Sequence, residues 1–251
     1  MKLRIFLLVA IFLSSCATKP DKFSPIDSQG KTIAIISSIG PRIIVGTTGI
    51  TVFENAKDVV EVPEWNLDSI ATQSANAALS PRFAIIPATR NAMIVDSDTR
   101  LDKSVSTNYA ISDAVRTKAH IESAVDLILI ISLSNTAQNY TGRSTVDYGV
   151  GVSKWRDPFA TRPPHVHTFL EMTILDGRNY NVISQSPLKI HSKTRTMFGG
   201  DESVPIDPID DFEWKDHWVE MTAEQHEIIH QKISELLKEA IPFTIQKMGL
   251  K

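Results

Sequence analysis

Apolar positions along this chain fall into short blocks, and the spacing within each block predicts its element. Thr32-Ile33-Ala34-Ile35-Ile36-Ser37 is a compact β-branched run bounded by Gly30 and Gly40. Such a run, without polar alternation, predicts a buried strand. Ile43 to Phe53 is a second β-rich stretch, broken by Gly46 and Gly49, and reads as a hairpin arm. Ser69 to Leu79 is alanine-rich and predicts a helix, with Asp68 as its cap and Ser80-Pro81 as its end. Phe83-Ala84-Ile85-Ile86-Pro87 predicts a short strand, and Ser112 to Ser123 another helix. Asp126 to Leu133, DLILIISL, is the most hydrophobic strand candidate after the leader and is expected at the centre of its sheet.

The pattern then changes. Thr145 to Trp155 alternates weakly. Val166 to Leu175 and Tyr180 to Ile190 flank Asp176-Gly177-Arg178-Asn179, and Asp-Gly is a strong hairpin-turn signal. Thr222 to Lys247 predicts a long closing helix, with Ile229, Ile233, Leu236, Leu237, Ala240 and Ile241 on its apolar face. Pro242 is expected to kink or end it. Early alternation of strands and helices implies parallel neighbours joined by right-handed crossovers. The later strands add antiparallel pairs. The expected fold is a single α/β sandwich over 32–251, with a mixed, partly parallel sheet, a C-terminal antiparallel hairpin and a long closing helix.

The first residues change the picture from a free domain to a tethered one. Lys2 and Arg4 precede an apolar run from Ile5 to Leu13, and small residues follow. A positive start, a short apolar core and a small-residue cleavage site make a secretory signal peptide. A nine-residue core is shorter than the roughly 20 residues of a membrane span. Leu13-Ser14-Ser15-Cys16 closes the leader and contains the chain's one cysteine. It resembles the lipobox of bacterial lipoproteins. The resemblance implies alkylation of the Cys16 thiol by a diacylglyceryl group, cleavage before it and acylation of the new amino terminus. Several acyl chains hold a protein on a membrane far more firmly than one. Ala17 follows the cysteine in place of the aspartate that retains many inner-membrane lipoproteins, which implies the periplasmic face of an outer membrane.

Residues 1–15 are therefore expected to be leader, 16–31 a lipidated cysteine and tether, and 32–251 the domain. Lys plus Arg number 26 and Asp plus Glu 29; the leader holds two of the cations and no acid, so the mature charge is 24 minus 29, or −5. That is no footprint for nucleic acid, nor a polybasic membrane patch. With Cys16 lipidated no disulfide can form, so the core must stabilise the domain. Ala17 to Gly30, with two prolines and two serines, reads as a flexible tether with a reach of about 20 Å.

Lys31 to Ile36, the helix leading into Phe83 to Pro87, and Ala124-Val125-Asp126-Leu127-Ile128-Leu129 make an order of elements similar to that of a group of bacterial envelope proteins. The chain resembles that group over about 31–135 and the closing helix. It includes the curli-secretion lipoprotein, the lipoprotein activators of penicillin-binding proteins and the N-terminal domain of the Tol propeller protein. Ile39 to Trp65 is longer than the usual link there. The resemblance implies function through partner proteins or self-association in export, secretion or cell-wall machinery, with no catalytic set and no cofactor.

One motif points elsewhere. His226-Glu227-Ile228-Ile229-His230 fits the zinc-protease pattern H-E-x-x-H, in which two histidines one turn apart chelate zinc and Glu227 activates the bound water. A tethered zinc hydrolase is the alternative reading. A third ligand is not evident: Ile233 stands where the long form has glycine, and after Glu239 there is no acid or histidine, although His217 could contribute. The competing reading is the first turns of an amphipathic helix, with both histidines flanking its apolar stripe.

Other candidates are simpler. His165 and His167 share one face of a strand; a metal pair and a polar strand start compete there. His191 and His217 could join either pair. The acids from Asp201 to Asp216 could hold calcium but lack a fixed ligand spacing, so a solvated loop is expected. Trp214 and Trp218 beside them fit either a partner surface or closure over the core, and closure over the core is expected. Ser186-Pro187-Leu188-Lys189 has S-x-x-K spacing but falls on a strand where a helix start is needed. Gly46 to Gly49 lacks the lysine and helix of a phosphate loop. The long Ile39–Trp65 segment could also serve as a lid over a captured ligand.

Overall fold

The structure is a computed structural model and describes residues 30–50, 52–90, 119–121, 124–134, 149–156, 162–191 and 204–250. The strands are β1 (Thr32–Ser38), β2 (Arg42–Thr48), β3 (Ala56–Glu61), β4 (Ala84–Ile86), β5 (Ala88–Arg90), β6 (Ala119–Ile121), β7 (Leu127–Leu133), β8 (Gly149–Trp155), β9 (His165–Asp176), β10 (Val182–Pro187) and β11 (Ile206–Pro208). Helix α1 is Leu67–Leu79 and α2 is Ala223–Lys247. The fold is mixed α/β. Nine strands form one sheet in the order β3-β2-β8-β9-β7-β1-β4, with β10 and β11 also paired to β9. The pairs β1–β4, β1–β7 and β2–β8 are parallel and the remaining pairs antiparallel.

β9 organises the whole. Its first half pairs with β8 and β11, its second half with β7 and β10. Twelve residues at about 3.3 Å each make it roughly 40 Å long. β1 starts beside Leu127, which faces Asp176 at the far end of β9. β2 runs on beside β8, which faces the start of β9 at His165. The described chain therefore begins at one end of β9, and the β2–β3 hairpin turns at the other.

Both helices pack on one face. Ala71, Ala75 and Leu79 of α1 and Ile229, Ile233, Leu237 and Ile241 of α2 join Ile33, Ile35, Leu129, Ile131, Leu170 and Met172 in the main core. The small residues of α1 let the helix lie close to the sheet. Ala34, Ile36, Ile128, Ile130 and Leu175 form a smaller core on the other face, against Ile86, Ala88 and Ile121. DLILIISL becomes β7, buried on both faces between β9 and β1 as its composition predicts.

Several local expectations are corrected. Ala119–Ile121, at the end of the helix predicted over Ser112 to Ser123, is a strand paired antiparallel with β5; 112–118 and 122–123 lie outside the described residues. Asp68 does not cap α1, whose N-cap is Asn66 in a left-handed conformation (φ 49°). Asp68 instead takes hydrogen bonds from Ser37 Oγ (2.6 Å) and the N–H groups of Ile39 (2.8 Å) and Gly40 (3.2 Å), fixing the joint between β1 and β2. Ile39 to Trp65 is no lid: β2 and β3 carry it into the sheet. Pro242 does not end α2, which continues to Lys247. Near it Thr244 Oγ1 donates to Ala240 O (2.8 Å) and accepts from Lys189 N (2.8 Å).

The β9–β10 hairpin forms as predicted, but not through an Asp-Gly turn. The positive φ (63°) falls on Tyr180, and Asp176 Oδ1 accepts from Arg178 N (2.7 Å) and Asn179 N (3.3 Å). Gly177 is required for proximity: a Cβ there would lie 2.0 Å from Val125 O, and its N–H donates to Asp126 O (2.8 Å).

Candidate functional site

Helix α2 starts on a firm footing. Thr222 and Gln225 make a reciprocal capping box, and Gln225 Nε2 donates to Glu213 O (2.7 Å). Such a cap is worth about 1 kcal/mol. The H-E-x-x-H histidines fall in the next turn and a half, and both are partly buried by tryptophans. His226 lies flat on Trp218, with ring centroids 3.7 Å apart and planes 6° apart. Its Nε2 is 3.2 Å from Trp218 O. His230 stacks on Trp65 at 4.8 Å and 18°, and Trp65 meets Trp218 edge to face at 5.8 Å. The four rings form one chain, His226–Trp218–Trp65–His230, which ties α2 to the turns before each helix.

This arrangement accounts for the residues of the motif. Zinc needs ring nitrogens about 2.0–2.1 Å from one point. Here the Nε2 of His226 already faces a carbonyl, and both imidazole faces cover indoles. Glu227 points outward: its Oε1 accepts from Gln231 Nε2 (3.0 Å), and its Oε2 lies 3.7 Å from His230 Nδ1. Among the described residues, no group of three His, Cys, Asp or Glu side chains is placed to hold a metal ion.

The remaining histidines are dispersed. His217 lies 3.3 Å from Asp58 Oδ1, and Asp58 Oδ2 accepts the Trp218 N–H (2.9 Å), so β3 holds the turn that carries the ring stack. His191 packs near Phe243. His165 and His167 do share a face, but they are buried rather than a polar strand start. They stand in a ladder with Trp155 at 4.5 Å from His165, 6.2 Å between the two imidazoles, and Phe169 at 4.9 Å from His167.

The acids read as a solvated or calcium-binding loop are mostly paired. Asp216 accepts from Thr47 Oγ1 (2.7 Å), Trp214 Nε1 (3.0 Å) and Arg156 (2.7 Å). Burial pushes its carboxyl up, but the bonds from Thr47 and Trp214 and the Arg156 guanidinium outweigh that and hold it below the usual carboxylate range. Asp207 pairs with Lys232 (2.9 Å) and Glu213 with Lys215 (2.6 Å). Trp214 and Trp218 pack against the core, as expected. Asp201 and Glu202 lie outside the described residues.

The opposite end of β9 is held differently. Asp126 accepts from Thr32 N (2.9 Å) and Thr32 Oγ1 (3.0 Å), and its own N–H donates to Thr32 Oγ1 (3.0 Å). The backbone bond from Thr32 holds its carboxyl below the usual range, helped by the Thr32 hydroxyl and by Arg178 3.9 Å away. Cys16 lies outside the described residues. No helix among the described residues is long and apolar enough to cross a membrane.

Several large apolar side chains stay open at the hairpin end. Phe53 is 95% exposed, Val219 88%, Ile50 60% and Val59 54%. Phe53 lies in the turn between β2 and β3, Val59 lies in β3, and Val219 follows the Trp218 that β3 holds. No motif marks these residues, so the sequence reading missed them; only exposure reveals them.

No family model matches the chain, and no curated protein matches it either. Two solved structures are distantly similar. One is a Xanthomonas campestris protein of the DUF330 family, with a TM-score of 0.37 at 10% identity over 90% of this chain and 86% of that one. The other is a hypothetical protein of Chlamydia trachomatis, with a TM-score of 0.31 at 9% identity over 84% of this chain and 98% of that one.

Proposed function

We propose that this is a lipid-anchored protein of the bacterial cell envelope that acts by contact with other proteins in an assembly, export or cell-wall machine. Lipid on Cys16 holds it at the periplasmic face of the outer membrane, and the tether up to residue 31 gives the domain its reach. The observation that carries the contact reading is the exposure of Phe53, in the turn before β3, and of Val219, next to the Trp218 that β3 holds, at the end of the sheet opposite the first described strand. Exposed apolar side chains grouped on one edge mark interaction surfaces more often than single scattered ones do. The ionisable groups nearby are engaged in packing: His226 and His230 on tryptophans, Asp58 on the Trp218 N–H and Asp216 on Arg156.

The test is site-specific photo-crosslinking in the native cells. A photoreactive residue at Phe53 or Val219 is expected to give discrete heavier adducts. The same residue at Gln73, on the exposed side of α1, is expected to give none. Equal labelling at the three positions would refute a contact surface there. Intact mass of the membrane-extracted protein tests the anchor: Cys16 should be the first residue and carry acyl chains.

A further inference from the structure

The outer strand β3 has a self-complementary sequence, and its backbone parity matches that symmetry. Val62 N donates to Pro41 O (2.7 Å), so the even residues of this strand turn their peptide groups toward β2. Lys57, Val59 and Glu61 therefore turn their N–H and C=O groups outward. β3 ends the sheet on that side, and among the described residues no strand pairs with its outer edge. The same three residues present their side chains on the exposed face.

We propose that β3 is a homodimerisation edge, pairing antiparallel with β3 of a second copy about a two-fold axis through Val59. In that register Val59 meets its own copy, and Lys57 meets Glu61 of the second copy, twice. All are pairs in which both residues direct their backbone groups at each other, giving about six new backbone hydrogen bonds. Opposite charges directly across a strand pair are favourable, and like charges unfavourable. A one-residue slip would set outward-facing against inward-facing backbone groups, and parallel pairing would set Lys57 against itself. A two-residue slip keeps the backbone parity but separates Lys57 from Glu61, so the charge pairs favour the register centred on Val59. Trp218 is bound to Asp58 of the same strand, and the next residue, Val219, is exposed.

The inference deepens the contact reading by naming a second copy as one partner. The axis of such a pair is perpendicular to the sheet, so the two domains run head to tail. Both lipids can enter one leaflet when that axis lies along the membrane normal and the joined sheet lies flat over the bilayer. Tethering on one surface then raises the effective concentration that so small an interface needs.

The test uses the full chain in detergent and reads its mass by sedimentation. The wild-type chain should dimerise. Lys57→Glu, which sits opposite Gly46 on its inner side, should weaken association roughly tenfold or more by turning two attractive pairs into two repulsive ones. Glu61→Lys should do the same. An equimolar mixture of the two variants should pair again, because each charge then meets its opposite; this also shows that both are folded. As a second readout, Val59→Cys should oxidise to a covalent dimer, which Lys57→Glu suppresses. A wild-type chain that stays monomeric at every concentration, or variants that dimerise as well as wild type, would overturn the proposal. Repeating the measurement with Cys16→Ser separates the two ideas, since edge pairing needs no lipid in solution, whereas membrane anchoring is lost.

Discussion

The two ends of β9 are secured by different chemistry. At the end where the described chain begins, the ties are backbone groups and one carboxylate: Thr32 against Asp126, and Gly177 pressed against the Val125 carbonyl. At the hairpin end the ties are rings: His226, Trp218, Trp65 and His230 in one stack, backed by the Thr47–Trp214–Asp216–Arg156 group. The backbone end leaves nothing reactive in its sequence. The ring end places histidines, a glutamate and tryptophans close together, with both imidazoles stacked on indoles, so the same residues fit a packing cluster and a zinc motif. Side-chain type alone does not distinguish a ligand from a stacked ring; orientation does.

The comparison can be broken from either side. Trp65→Ala removes the ring that joins the other indole to His230, and Trp65 is buried. It is expected to cost about 3–5 kcal/mol, read as a lowered midpoint in urea unfolding. Gly177→Ala at the opposite end forces a Cβ into the Val125 carbonyl, and should cost about 1–3 kcal/mol by backbone displacement. If the two losses add in the double variant, the ends are independent, as their separation along β9 predicts.

The smallest effect is acid sensitivity. The carboxyls of Asp126 and Asp216 both lie below their ordinary value of 3.8 in the folded protein. Each therefore contributes stability that is present above that value and lost as pH falls through the lower folded value. Asp126→Asn should flatten the fall in stability below pH ~4 and leave the slope at neutral pH unchanged. An unchanged slope in acid would show that the Thr32 bonds do not favour the charged form.

The legible parts were those fixed by local pattern. DLILIISL specified a strand buried on both faces, Thr32 to Ser37 specified its parallel neighbour, and the apolar stripe from Ile229 to Ile241 specified the closing helix. That helix is expected from Thr222, which the structure shows as its N-cap. The illegible parts were those decided by distant contacts. Ala119–Ile121 is a strand because Ala88–Arg90 pairs with it, which no local period reveals. Asp68 reads as a cap but serves the β1–β2 joint, because that joint needs acceptors for two N–H groups. Asp-Gly marked the right hairpin for the wrong reason, since Gly177 answers a close approach and Tyr180 takes the left-handed turn. At the candidate site, His226, Glu227 and His230 were visible as a motif, but nothing in the local sequence showed that Trp218 and Trp65 would lie on the two imidazoles.

Thermal unfolding of the full chain with and without zinc, for wild type and His230→Ala, tests most directly whether these histidines serve packing or chemistry. Packing predicts a lower Tm for His230→Ala, equivalent to about 0.5–1.5 kcal/mol for one lost ring pair, and no zinc-dependent shift in either protein. A stoichiometric zinc that raises the wild-type Tm, and fails to raise that of His230→Ala, would contradict it.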